Sequence, residues 1–346
     1  MIKTTYEIIL PISLSFFHSP APISKLIELL KELVCASGKI QLPLWESKVA
    51  TLHLDLAQKS VHFPKISKMN RESPFSTLFK SFFLKINTEI LHEDNLIHYL
   101  AKEELDKCKM SKTEQIKLLQ ENFADILIKG IHDLIIASNI ARPGVLCTQE
   151  GIISINNKKF KSVPEISNDI YIAIESTKHI GWPSIYELEF LFTWNWLQSF
   201  PSYWEGVGAQ PIGRALSAFS YLFSSHPNDD PFYEILWSIV GLEALYGEDN
   251  TGIQKQIVQR TEALLGKRDT YKKIINEMYQ FRSKFLHGAS DFPVRHTTFY
   301  GSKEYEKFRK DAFIPEKIAI IVFIATLQEM VRQNLKELKF ELSLIK

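Results

Sequence analysis

The sequence predicts an α+β N-terminal domain followed by an all-α helical bundle, so that the whole chain is mainly α. In the first half, segments rich in β-branched residues show the alternation of half-buried strands. After about residue 180, apolar residues recur with helical spacing, and proline and glycine mark segment ends. Because 346 residues are many for one core, we predict two domains, 1–180 and 181–346.

The N-terminal half contains five segments with a clear pattern. Strands are predicted at Thr4–Phe16 and Lys48–Phe63, and an amphipathic helix at Ile23–Gly38. The stretch Glu89–Ala141 is predicted to be mostly helical. Gly144–Val163 is predicted to form strands that turn at a polar Asn-Asn-Lys-Lys sequence. The residues from there to about 183 are predicted to be a connector.

The C-terminal half is predicted to be almost entirely helical. Asp230 and Pro231 are a typical helix start, and Gly288 is a typical stop. Helices are predicted at 231–246, 252–265 and 269–287, preceded by shorter ones, and a long last helix is predicted to begin at Pro315. The segment 289–312 is predicted to be irregular. Up to five helices with short connections favour a bundle.

Charge and cysteine usage restrict the function classes. Lys and Arg total 41 and Asp and Glu total 40, so no global basic field for long nucleic acid exists. Cys35, Cys108 and Cys147 form no CxxC pair, which favours a reducing, cytoplasmic setting without a zinc cluster. The histidines and carboxylates at 92–98 match no standard metal spacing. The apolar run at 8–17 is short and interrupted, so we expect no membrane partner, and we expect no cofactor or metal.

Arg282 and His287 are the candidate catalytic pair. Arginine grips phosphate oxygens in a fork. His287 lies in the last turn before Gly288, where the negative end of the helix dipole attracts a protonated imidazole, and histidine suits proton transfer near neutral pH. The alternative is structural: Arg282 caps a surface turn, and His287 binds the last carbonyls of the helix.

The context of this pair resembles the HEPN family, specifically its ApeA-like branch. The residues that carry the resemblance are DDPFYEILWSIVGLEALYG, QRTEALLG and YQFRSKFLHG, within about 229–292. The family motif is an arginine, four to six residues and a histidine, late in a helix of an all-α bundle. Arg282 and His287 match it with four intervening residues, and Ser283 is the polar residue that often follows the arginine. The resemblance does not extend over 1–180.

The resemblance implies a metal-independent endoribonuclease, acting as a toxin or antiphage defence effector, with a composite active site in a homodimer. Glu243 is expected to orient His287 or Arg282. An antitoxin or trigger molecule is a further expected partner, and residues 1–180 would sense the trigger or restrain the nuclease. Ala289 stands where some HEPN toxins carry a modified tyrosine, so that route of regulation is not expected. Candidate RNA-binding residues are Lys284, Lys303, Lys307, Arg309 and Lys310.

Two other functions fit the same residues. A non-catalytic HEPN bundle would serve as a dimerisation or nucleotide/RNA-binding module, with Arg282 and His287 holding a ligand phosphate. A structural protein with an incidental motif would be a monomer with His287 facing solvent. Pairs that converge across a dimer favour the nuclease, whereas pairs that are buried or face apart favour the module.

Overall fold

The computed structural model describes residues 2–13, 20–43, 49–58, 82–92, 111–200, 208–223, 231–248, 252–266, 271–289 and 303–340. The chain divides into two compact units. The first comprises Met1–Ile135 with Leu146–Ile166, and the second comprises Ile136–Val145 with Ser167–Lys346. The boundary between the two units therefore lies near residue 166 rather than 180. The short segment Ile136–Val145 precedes this boundary but belongs to the second unit.

The first unit is built on a seven-stranded antiparallel sheet. Its path is β2-β3-β4-β1-β6-β7, and β5 pairs with β1 off this path. The strands are β1 (Ile2–Ser13), β2 (Ile40–Pro43), β3 (Val49–Gln58), β4 (Phe82–His92), β5 (Cys147–Thr148), β6 (Gly151–Ile155) and β7 (Lys158–Val163). The helices described in this unit are α1 (Pro20–Cys35) and most of α2 (Lys112–Ala141).

Alternation of side chains gives the sheet one buried face. In β1, Thr4, Tyr6, Ile8 and Leu10 are fully buried, while the residues between them are half-exposed. This is the pattern of an antiparallel sheet with one face on the core. The ring of Tyr6 lies 6.1 Å from that of Phe123 on α2, so this helix covers the buried face.

The β6–β7 hairpin turns at the two asparagines that the sequence indicated. Asn156 and Asn157 have φ values of 48° and 64°. Two central residues with positive φ are the signature of a type I′ turn, which asparagine tolerates better than most residues. The prediction of strands around this turn is confirmed.

In the second unit, the regular secondary structure that is described consists of helices, which are joined by irregular connections. Its helices are α3 (Ile170–Thr177), α4 (Phe190–Gln198), α5 (Pro211–Ser220), α6 (Pro231–Tyr246), α7 (Ile253–Leu265), α8 (Tyr271–Leu286) and α9 (Lys303–Arg332), with 3₁₀ turns at Lys178–Ile180 and Tyr221–Phe223. The coarse fold prediction, an α+β part followed by a helical part, is therefore confirmed.

Helix α9 forms the centre of this unit. Its segment 318–331 is almost continuously buried, and α3, α6 and α8 pack against it. A Cβ on Gly241 of α6 would lie 2.1 Å from the Phe323 ring, so only glycine allows this approach. The Tyr246 hydroxyl and the Thr326 hydroxyl are hydrogen-bonded at 2.8 Å in the same interface. These contacts fix the orientation of α6, which carries part of the candidate site.

Three predictions of element boundaries were wrong. Residues 89–92 belong to strand β4, where they pair with β1, rather than to a helix. The predicted connector after residue 163 contains helix α3. The last helix begins at Lys303, so Pro315 lies inside it. Proline removes one backbone donor and usually breaks a helix. Here Phe308 and Ala312 are buried against Phe281, and this packing holds the segment before the proline in helical form.

Candidate functional site

Helix α8 places Arg282 and His287 at its C-terminal end. Ile275, Met278 and Tyr279 are buried, which fixes the face that turns inward. Gly288 has φ +66°, and the Ala289 N–H donates to the Lys284 carbonyl at 2.8 Å. This is the left-handed glycine stop that the sequence predicted. His287 is therefore the first residue beyond the helix.

Arg282 is held by a carboxylate from the neighbouring helix α6. Its Nη2 donates to Glu243 Oε2 at 3.2 Å, and the Tyr279 hydroxyl donates to Glu243 Oε1 at 2.5 Å. The guanidinium also lies over the Tyr279 ring, with Cζ 5.5 Å from the ring centre. The Arg282 and Glu243 side chains are 22% and 19% exposed, so solvent screens this pair only partly. The Glu243 carboxylate thus accepts hydrogen bonds from both the Tyr279 phenol and the Arg282 guanidinium.

The electrostatics of this cluster keep Tyr279 protonated. Burial raises the pKa of Tyr279, and the hydrogen bond to Glu243 and the negative charge of Glu243 raise it further, against the opposing effect of Arg282. The phenol therefore remains a hydrogen-bond donor to Glu243 at every physiological pH.

The other residues predicted around the motif are placed less tightly. The imidazole of His287 is exposed, and among the described residues no hydrogen bond or ion pair to it is found. Glu243 contacts Arg282, the second of the two partners that the sequence suggested for it. Ser283 is half-buried and its carbonyl accepts the His287 N–H at 3.0 Å, while Lys284 is exposed.

The predicted basic residues on α9 divide by helix face. Lys303, Lys307 and Lys310 are exposed and spaced four and three apart, so they share one face. Phe308 and Ala312, which pack towards Phe281 of α8, lie on roughly the opposite side. Arg309 is exposed between these two faces. The lysines therefore point away from α8 and from Phe281.

A half-exposed apolar stripe runs along α6 beside Glu243. Tyr233 is 37% exposed, and Tyr221, 46% exposed, stacks on Trp237 with ring centres 4.1 Å apart. Leu236, Val240 and Ala244 are also half-buried rather than buried. By contrast, the two tryptophans of α4, Trp194 and Trp196, are 1% and 2% exposed and belong to the core.

A second charged cluster lies elsewhere in the helical unit, and sequence reasoning missed it. Lys317 Nζ lies 2.9 Å from Asp169 Oδ2, 3.4 Å from Glu234 Oε2 and 2.5 Å from Glu316 Oε1. Oxygens of the three carboxylates lie within 4.8 Å of one another. Lys317 and Glu316 are 3% and 5% exposed, whereas Asp169 is 39% exposed, so the cluster is buried around its lysine and reaches solvent at Asp169.

Protonation of this second cluster follows from its charge imbalance. Burial raises the pKa of Glu234 well above its ordinary value, and a hydrogen bond with Glu316 raises it further, although Lys317 opposes the shift. Burial alone would lower the pKa of Lys317, but the carboxylates of Glu234, Glu316 and Asp169 raise it overall. The cluster thus keeps its lysine charged and favours the protonated form of Glu234.

A local sequence pattern could have predicted Tyr279 but not the Lys317 cluster. Tyr279 is three residues before Arg282, a helical neighbour that the spacing alone identifies. Lys317, Glu234 and Asp169 come from α9, α6 and the start of α3. Residues so far apart in sequence give no local signal. Of the histidines and carboxylates at 92–98, His92 ends strand β4, and Glu93, Asp94 and His98 lie outside the described residues.

Comparison of the chain with protein-family models, with curated proteins and with solved structures finds no match. In the described part of the chain, no helix combines the length and the apolar character that crossing a membrane requires.

Proposed function

We propose that this protein is a metal-independent endoribonuclease of HEPN type that works as a homodimer. The observation that carries the proposal is the state of Arg282. Its guanidinium is anchored by Glu243 through one donor, while the side chain remains 22% exposed at the end of a helix. An anchored arginine with free donors is suited to hold a phosphate, and an exposed histidine five residues later in the chain is suited to move a proton.

The chemistry assigns one role to each side chain. The ribose 2′-oxygen attacks its own phosphorus, and the bond from phosphorus to the 5′-oxygen breaks, which leaves a 2′,3′-cyclic phosphate and a 5′-hydroxyl. Arg282 stabilises the charge that builds up on the phosphorane oxygens. Imidazole takes the 2′-hydroxyl proton or delivers one to the leaving 5′-oxygen. Two copies of His287 in a dimer would provide both transfers.

The apolar stripe on α6 supports the homodimer. Helix α6 carries few polar residues, and such a helix is normally buried all round. Yet Leu236, Trp237 and Val240 remain half-exposed beside Glu243. Exposed apolar surface of this kind marks an interaction site, and a two-fold interface uses the same patch twice. A partner seated there would bring a second Arg282–Glu243 pair near the first.

The biological role in this proposal is that of a toxin or antiphage defence effector. It rests on the HEPN resemblance and on domain order. A nuclease that cuts cellular RNA needs restraint, and the sheet-based first unit is the part of the chain available to sense a trigger or an antitoxin. RNA is the proposed substrate.

A non-catalytic HEPN module that binds a nucleotide or RNA phosphate is the second candidate. The observation that favours it over catalysis is that no group among the described residues orients the imidazole of His287. Catalytic histidines are usually oriented by a third group. With this function, Arg282 and His287 would bind a phosphate group but would not catalyse cleavage of the phosphodiester.

The test is cleavage of end-labelled RNA in excess EDTA by the full-length protein. Wild type should produce 2′,3′-cyclic phosphate ends, and His287→Ala and Arg282→Ala should abolish them. Matched controls are His179→Ala and Arg214→Ala, since both side chains are exposed and lie on other elements of the helical unit. Binding without cleavage by wild type would favour the module. Equal cleavage by wild type and His287→Ala would contradict the nuclease assignment.

A further inference from the structure

We propose that Tyr279 is a positioning residue that keeps Arg282 available to the substrate by occupying one oxygen of Glu243. This inference rests on the proposed function, because it concerns the same arginine. It adds a residue that the motif does not contain, and it assigns to that residue an effect on phosphate binding rather than on folding.

Two donors share the Glu243 carboxylate. Oε1 accepts the Tyr279 hydroxyl at 2.5 Å, and Oε2 accepts Arg282 Nη2 at 3.2 Å. A carboxylate and an arginine left to themselves favour a fork with two parallel hydrogen bonds. Here the phenol takes the oxygen that the second arm of such a fork would need.

Arg282 has a donor that this arrangement leaves unused. Its Nε is buried and has no hydrogen-bond partner among the residues that the structure describes. Nε and Nη2 are neighbours on one edge of the guanidinium, and this edge pairs with both oxygens of a carboxylate in a side-on fork. Because Tyr279 holds Oε1, the fork with Glu243 is half-made. Arg282 is therefore attracted to Glu243 but not saturated by it.

Tyr279 itself has a fixed position. Only 9% of the residue is exposed, and its ring lies under the guanidinium. A buried phenol needs a hydrogen-bond acceptor, and Glu243 is the acceptor found for it in the described residues. Burial and the carboxylate both raise the pKa of Tyr279, so the donor persists.

Removal of the hydroxyl should close the fork. In Tyr279→Phe the ring and its packing under the guanidinium remain, but Oε1 of Glu243 becomes free. Arg282 then pairs with both oxygens through its Nε–Nη2 edge, and the whole guanidinium is drawn towards Glu243 and away from phosphate. We expect kcat/KM for RNA cleavage to fall about tenfold, which corresponds to about 1.4 kcal/mol of transition-state stabilisation.

The deciding experiment is a rescue. Glu243→Gln, introduced into the Tyr279→Phe protein, replaces the carboxylate by an amide that cannot form a charged fork. The double variant should therefore cleave faster than Tyr279→Phe alone. A residue with only a structural role predicts the reverse, because two damaged interactions are worse than one. A double variant that is slower, or a Tyr279→Phe protein as active as wild type, would overturn the proposal.

A measurement without RNA separates this inference from the proposed function. Two-point pairing slows rotation of the guanidinium, so the two Nη nitrogens of Arg282 should give separate ¹⁵N NMR signals in Tyr279→Phe and one averaged signal in wild type. Arg282→Lys identifies the signals by their disappearance. If wild type cleaves no RNA but the arginine signals differ between the two proteins as expected, the nuclease assignment is contradicted and the role of Tyr279 is supported. Active wild type with identical arginine signals in both proteins would remove Tyr279 only.

Discussion

Two ionic clusters in the helical unit are built from the same residue types with opposite results. At the end of α8, one carboxylate faces one cation, and both are about one-fifth exposed. Around α9, one lysine faces three carboxylates, and the lysine is 3% exposed. In the first cluster, the arginine has more hydrogen-bond donors than its carboxylate partner uses. In the second cluster, acidic groups outnumber the single cation.

Counting donors explains the difference. A lysine has three N–H groups, and Lys317 directs hydrogen bonds to Asp169, Glu234 and Glu316. It has nothing left for a ligand. An arginine has five, and Arg282 uses one among the described residues. A buried cation whose donors are all used holds helices together, while a partly exposed cation with unused donors can bind a phosphate. We therefore expect Lys317 to contribute to stability and Arg282 to contribute to function.

The largest effect is expected from removing the buried cation. Lys317→Met leaves the acidic groups of Asp169, Glu234 and Glu316 without their buried cation, which should lower the free energy of unfolding by about 3–5 kcal/mol. Denaturant titration of the full chain measures this decrease. The control is Lys273→Met, whose side chain is 81% exposed and pairs with Glu277 at 3.8 Å. Such a surface pair contributes about 0–1 kcal/mol. Equal decreases in both variants would remove the distinction between the clusters.

The second effect concerns the shape of the cation at the end of α8. Arg282→Lys keeps the positive charge but loses the planar fork, so RNA cleavage should fall about 10–100-fold. The free energy of unfolding should change by only about 1 kcal/mol, because Glu243 keeps the Tyr279 hydroxyl as a donor. Rates and denaturation midpoints measured on the same protein batch test both parts. An active lysine variant would mean that charge alone is sufficient.

The third prediction uses the protonated carboxyl of the second cluster. The pKa of Glu234 is higher in the folded state, so the folded protein binds more protons than the unfolded one above about pH 4.5. The free energy of unfolding should therefore fall as the pH rises from there towards the raised pKa. Glu234→Gln mimics the protonated carboxyl and should flatten this dependence.

Urea titrations over a pH series test this flattening, with Glu277→Gln on the surface of α8 as the control. That variant should keep the slope of wild type, since its side chain is 52% exposed and lies outside the cluster. An unchanged slope in Glu234→Gln would place the buried proton on another residue.

The smallest effect is expected from the lysine stripe of α9, which comprises Lys303, Lys307 and Lys310. Substituting all three by glutamine should weaken RNA binding and reduce its salt dependence, by about 0.7 in log–log slope for each phosphate that is no longer neutralised. The kcat should stay unchanged, because the stripe faces away from α8. Filter binding at several salt concentrations and single-turnover rates measure the two quantities. A lower rate at saturating RNA would place these lysines at the reacting phosphate.

Local signals in the sequence predicted the elements that carry the site. Pro231 begins α6, Gly266 ends α7 and Gly288 ends α8, because the backbone preferences of proline and glycine act within a few residues. The same reasoning failed at Pro315. There the packing of Phe308 against Phe281 outweighs a local preference that the sequence alone reads as a helix start.

By itself, the sequence determined the two-part α+β and helical order, the asparagine turn of the hairpin and the glycine stop that follows His287. Only the tertiary structure decided that Glu243 pairs with Arg282, that Tyr279 shares the same carboxylate, and that Lys317 gathers three acids. The physical reason is range. Turns and helix ends depend on neighbours in the chain, whereas hydrogen bonds between charged side chains depend on how separate helices pack.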